Sequence, residues 1–119
     1  MNLNHLNLTV PDVAETRALF ETSFGFTPVS EAGNGNLAVL LGDDGFVLTL
    51  MKGEQPSYPK AFHIGFAQDG DGRVNEIYQR LHADGVADSP PKHLHGAWTF
   101  SSLAPGGIQV EVLHQAGAR

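Results

Sequence analysis

The chain has 119 residues, 41% hydrophobic and 17% charged, which suits a single soluble globular domain with a real core. Its formal charge of −6 and its lack of any Lys/Arg cluster argue against nucleic acid as a partner, since phosphate binding needs a basic surface. There is no cysteine, so disulfides, thiolate metal sites and iron–sulfur clusters are excluded.

The opening Met-Asn-Leu-Asn-His has neither a basic region nor a long apolar run, so no signal peptide is expected. No apolar stretch reaches the length of a membrane span, and a cytoplasmic location is the default expectation. Residues 3–10 alternate, with Leu6, Leu8 and Val10 on one face and His5, Asn7 and Thr9 on the other, as in a half-buried strand. Pro11-Asp12 punctuates and caps. Val13, Leu19 and Phe20, with Ala14 and Ala18, lie at helical spacing, and Gly25 is a stop signal. Strands are expected at 26–31, 36–42 and 45–52, joined by the turn sequences Gly33-Asn34-Gly35 and Gly42-Asp43-Asp44-Gly45.

Residues 53–60, with Gly53, Pro56 and Pro59, look like a linker. The same order then returns: a strand over 61–68, a turn at Asp69-Gly70-Asp71-Gly72, and a helix over about 72–84 with Val74, Ile77, Tyr78 and Leu81 on one side and Gly85 after it. The Asp-Gly-Asp-Gly run lacks the further oxygen ligands and terminal glutamate of a calcium loop. An irregular stretch over 86–96 should hold a short strand and a loop, and strands at 97–103 and 107–114 close the repeat. The expected fold is therefore α+β: paired βαβββ modules, 1–52 and 61–119, within one domain, forming a curved mixed sheet around a cleft with the helices outside.

The duplication carries chemistry. His5 and His63 each open a first strand, Gly45 and Gly107 each lead a last strand, and both pairs recur at nearly the same interval. Aligning the two glycines sets Thr49 against Glu111. By alternation His5, His63, Thr49 and Glu111 all fall on the less apolar face of their strands. Two imidazoles and a carboxylate can hold one face of an octahedral ion and leave positions open for substrate, an arrangement typical of Fe(II) and, in close variants, of Mn, Zn or Ni. His5, His63 and Glu111 are thus the expected ligands of a divalent metal, Fe(II) or Mn(II) first, and the ion would polarise a substrate oxygen.

At these residues the chain resembles the vicinal oxygen chelate superfamily: glyoxalase I, extradiol dioxygenases, fosfomycin resistance transferases, methylmalonyl-CoA epimerase and bleomycin resistance proteins. The resemblance implies a pair of βαβββ modules around a metal, with ligands on the first strand of each module and the last strand of one or both. Thr49 stands where glyoxalase I and the epimerase carry a further carboxylate or amide ligand, which favours the three-ligand members. Ala104-Pro105-Gly106-Gly107-Ile108-Gln109-Val110-Glu111 is similar to the end of the dioxygenase signature, although Ser101 occupies the place of that signature's tyrosine. Fosfomycin transferases carry a threonine where this chain has Asn7. The resemblance implies a small-molecule substrate that chelates the ion through adjacent oxygens, with ring-cleaving dioxygenation as the first expectation. A glyoxalase- or fosfomycin-type lyase or transferase, or a non-catalytic drug-binding protein, are the alternatives. It also implies a homodimer.

Other candidates are secondary. In Pro91-Lys92-His93-Leu94-His95-Gly96-Ala97-Trp98, His93 or His95 could serve as acid/base and Trp98 as a pocket wall, against the blander expectation of an exposed loop. Asn7, Thr9, Thr49 and Gln109 are candidates to orient substrate. His82 is expected on the surface near a helix C-terminus, His114 as structural, and Met51 and Phe100 as packing.

Overall fold

The computed structural model describes residues 1–116 and divides the chain into two compact units, Met1–Ser57 and Tyr58 onward. The first contains β1 (His5–Val10), α1 (Val13–Ser23), β2 (Thr27–Ala32), a 3₁₀ turn (Gly33–Gly35), β3 (Leu37–Leu41) and β4 (Val47–Lys52). The second contains β5 (His63–Ala67), α2 (Asp71–Ala83), β6 (Lys92–Leu94), β7 (Ala97–Ala104) and β8 (Ile108–Gln115). Both are βαβββ modules, as the repeated pattern requires.

Each unit forms a four-stranded mixed sheet, ordered β1-β4-β3-β2 and β5-β8-β7-β6. The first and last strands of each module are parallel neighbours, and the other pairs are antiparallel. Parallel strands need a long crossover, here the helix together with the antiparallel strands that follow it.

Each helix packs on one face of its own sheet, α1 over β3 and β4, α2 over β7 and β8. Leu8, Val10, Ala38, Leu40, Leu48 and Leu50 form the covered face in unit 1, and Phe20 of α1 lies among them edge-on to Phe26. In unit 2 Val74, Ile77, Tyr78 and Leu81 are buried against Phe100, Ala104, Ile108, Val110 and Val112. Burying a side chain such as Leu48 or Val112 contributes about 1.5–3 kcal/mol.

The two helices differ in how well the pattern foretold them. On α2 the buried residues are the expected four. On α1 the buried stripe is Val13, Thr16, Phe20 and Ser23, whereas Ala14 and Ala18 are exposed and Leu19 is half-buried. Thr16 satisfies its hydroxyl on the Asp12 carbonyl at 2.7 Å, and the Asp12 carboxylate caps the helix by accepting from Glu15 N at 2.9 Å. Arg17 reaches Glu21 and also Glu31 of β2, tying the edge strand to the helix. The hydrogen bond to Glu21 is the main reason its guanidinium lies above its ordinary value; partial burial opposes the shift, and Glu31 adds to it. α2 begins at Asp71, so half of the Asp-Gly-Asp-Gly run belongs to its first turn, where an acidic side chain suits the helix dipole.

Candidate metal centre

The last strand of unit 2 sets the site. On β8, Val110 and Val112 point toward α2, so strand parity turns Gln109, Glu111 and Leu113 to the opposite face. Parallel pairing then places His63 beside Gln109 and Gly65 beside Glu111. The His63 and Glu111 side chains lean together, with His63 Nε2 and Glu111 Oε1 3.9 Å apart.

Each of the two groups has its other polar atom engaged. His63 Nδ1 lies 2.9 Å from the Ala61 carbonyl. A carbonyl oxygen only accepts, so Nδ1 carries the proton and the neutral ring keeps its lone pair on Nε2. Glu111 Oε2 accepts a hydrogen bond from Thr99 Oγ1 at 2.8 Å, which leaves Oε1 on the His63 side. Gly65 keeps the space beside the carboxylate clear: a Cβ there would lie 4.0 Å from Oε1.

The donors suit a divalent cation. Donors each about 2.1 Å from one ion are about 3.0 Å apart on one face of an octahedron and about 3.4 Å apart in a tetrahedron, so the 3.9 Å pair has to close by roughly 0.5–0.9 Å to share an ion. Occupied outer atoms on both ligands are what a metal site uses to fix tautomer and rotamer. Among the described residues, no three His, Asp or Glu side chains are gathered into one cluster.

Unit 1 repeats the register. β1 and β4 pair His5 with Val47, Asn7 with Thr49 and Thr9 with Met51, so Thr49 holds the place that Glu111 holds in unit 2. His5 is exposed, and its Nδ1 lies 2.8 Å from Asn4 Oδ1, again leaving Nε2 unengaged by that bond. Asn7 donates to Met51 Sδ at 3.2 Å, so Met51, 41% exposed, lies on this face rather than in the core. Thr9 packs against Gly53 so closely that a Cβ on the glycine would fall 2.3 Å from its methyl.

The stretch after α2 is arranged differently. Trp98 stands on the α2 side of β7, its indole N–H donating to Asn75 Oδ1 at 2.8 Å, so it does not share the face of Glu111. His93 pairs directly with Trp98 and packs against its ring on that same side, with centroids 4.8 Å apart and the rings tilted by 58°. His95, φ 51°, and Gly96, φ 78°, are the two central residues of the β6–β7 hairpin turn. His82 bonds the Ala87 carbonyl and stacks on Tyr78, and His114 pairs with Asp71 at 2.7 Å. Thr99 is the site residue that composition and motif missed. The available signal was parity: counting from Trp98 puts Thr99, Ser101 and Leu103 on the Glu111 face.

Comparison with known proteins places the fold. The family model described as "Glyoxalase/Bleomycin resistance protein/Dioxygenase superfamily" matches residues 2–112. No curated protein matches the chain. Among solved structures, a possible glyoxalase from Bacillus cereus is 49% identical, covers 95% of this chain and 98% of its own, and superposes with a TM-score of 0.87. The genomically encoded fosfomycin resistance protein FosX from Listeria monocytogenes is 20% identical over 98% of this chain and 94% of its own, with a TM-score of 0.83. Lactoylglutathione lyase from Agrobacterium tumefaciens is 20% identical over 95% and 92%, with a TM-score of 0.76. At that identity the last two speak for the fold alone. No helix among the described residues is long and apolar enough to cross a membrane.

Proposed function

The chain belongs to the glyoxalase/bleomycin resistance protein/dioxygenase superfamily, and from that premise we propose that it is a small metal-dependent lyase or transferase of the glyoxalase or fosfomycin-resistance type. Its substrate is a small molecule with two adjacent oxygens. The carrying observation is the pair His63 Nε2 and Glu111 Oε1, 3.9 Å apart, each side chain fixed at its other polar atom. The 49% identical Bacillus cereus protein, a possible glyoxalase, favours this chemistry over ring-cleaving dioxygenation. So does Ser101, which pairs with Glu111 where the ring-cleaving pattern has a tyrosine.

His63 and Glu111 are the proposed donors to the ion within the second unit, and His5, at the matching place of the repeat, is the further donor that the sequence pattern leads us to expect; Fe(II) or Mn(II) is the first expectation, Zn or Ni the next. When bound, the ion supplies Lewis acidity to the substrate's oxygens. The chain's own residues do the rest. Gln109, beside His63 in the register, and Asn7, Thr9 and Thr49 of unit 1 offer amide and hydroxyl groups to orient substrate. Gly65 leaves room for it next to Glu111. His93, on the other side of β7 from Glu111, and His95, at a hairpin tip, have no assigned step. The working form is proposed to be a homodimer, to be read by sedimentation equilibrium.

Elemental mass spectrometry of protein purified without chelator is the test. A near-stoichiometric divalent ion that disappears in His63→Ala is expected, and wild-type protein free of any ion would overturn the proposal. The loaded protein should then turn over a hemithioacetal or an epoxide and leave a panel of catechols untouched.

A further inference from the structure

We propose that Thr99 is a positioning residue for the metal-binding carboxylate, an inference that rests on the proposed His63–Glu111 metal site. β7 and β8 are antiparallel, with Thr99 paired to Leu113 and Ser101 to Glu111, so Thr99 sits diagonally from Glu111 on the same face. It is 4% exposed, whereas the Glu111 and His63 side chains are 25% and 51% exposed. A buried hydroxyl thus anchors a carboxylate that is itself accessible.

The hydroxyl has one proton and two oxygens within reach, Glu111 Oε2 at 2.8 Å and the Val112 carbonyl at 3.0 Å. The shorter contact is to the carboxylate, and hydrogen bonds to an ionised acceptor are the stronger kind. The terminal torsion of a glutamate is otherwise broad. Threonine, stiff at χ1, ends that freedom at Oε2 and leaves Oε1 directed at His63 Nε2. Without the hydroxyl, the carboxylate has to be ordered when the ion binds, and loss of such an outer partner typically weakens metal affinity by about 10- to 100-fold.

Apo protein is titrated with Mn(II) and with Zn(II), following free ion, for wild type, Thr99→Val, Thr99→Ser and Thr99→Ala, with thermal melting of each apo variant as the control for folding. Thr99→Val keeps the shape and removes the hydroxyl, and should bind both ions about 10- to 100-fold more weakly at an apo melting point close to wild type. Thr99→Ser restores the hydroxyl and should bind within about threefold of wild type, a rescue that mere packing of the methyl would not give. If Thr99→Val does not fold, Thr99→Ala carries the same expectation. Affinity unchanged in the folded variant, or Thr99→Ser as weak as Thr99→Val, overturns the role of Thr99 while leaving the metal site standing. Wild type that binds neither ion removes the site and this role together.

Discussion

Ser23 lies on the buried side of α1, 6% exposed, and among the described residues its hydroxyl has no hydrogen-bond partner. A buried hydroxyl left unmatched costs about 1–3 kcal/mol of desolvation. Ser23→Ala should therefore stabilise the protein by roughly 1 kcal/mol, seen as a higher urea midpoint at unchanged slope; a lower midpoint would mean the hydroxyl is matched in solution. Gly65 makes the opposite point. A Cβ there would meet Leu113 Cδ2 at 3.5 Å and Glu111 Oε1 at 4.0 Å, both ordinary contacts. Gly65→Ala should add about 0.5–1 kcal/mol to stability, the usual strand cost of glycine. Gly65→Leu extends past that Cβ into the space before the carboxylate and should weaken Mn(II) binding about tenfold, comparable to loss of an outer ligand contact. Equal affinity in the alanine and leucine variants would show that nothing binds there.

At the scale of elements, the β6–β7 hairpin turns on His95 and Gly96, both at positive φ, the requirement of a two-residue turn of the I′ kind. Glycine accepts that backbone freely; histidine does so at a cost, and asparagine at a smaller one. His95→Asn is expected to raise stability by up to about 1 kcal/mol without changing metal content, checked by thermal melting and elemental analysis. The turn also marks where sequence was informative and where it was not. The alternation of β1 and β8, the apolar side of α2 and the turn glycines are local signals, and each was legible. The buried side of α1 was not, because alanine fits either environment and two hydroxyl residues turn inward, one of them satisfied by the backbone one turn back. Trp98 invited assignment to a pocket because it is large and aromatic. Its parity with Phe100 and its bond to Asn75 set it under α2 instead. Thr99 looked like an ordinary strand residue, and its partnership with Glu111 exists only once the register of β7 on β8 is fixed.

For the whole molecule, the duplicated pattern of histidines and glycines was enough to give both modules, and the register confirms that Thr49 and Glu111 are counterparts. Sequence could not tell how far the ligand set reaches, since spacing carries no information on the convergence of distant side chains. His5 and His63 occupy the same position in their modules, each with Nδ1 engaged by an oxygen. If both donate to one ion, His5→Ala should lose metal as fully as His63→Ala, with about one ion per chain in wild type, the stoichiometry of a single three-ligand site. Retention of the ion in His5→Ala would confine the site to the second module.

Parallel pairing of β5 with β8 also has a consequence in time. His63 is synthesised well before Glu111, and β6 and β7 must both be made in between. A nascent chain halted between β5 and β8 has the imidazole but no Glu111 carboxylate beside it. An ion held by this pair would therefore have to wait until all of this module has cleared the ribosome, and metallation would then be a finishing step of maturation and not a nucleus for folding.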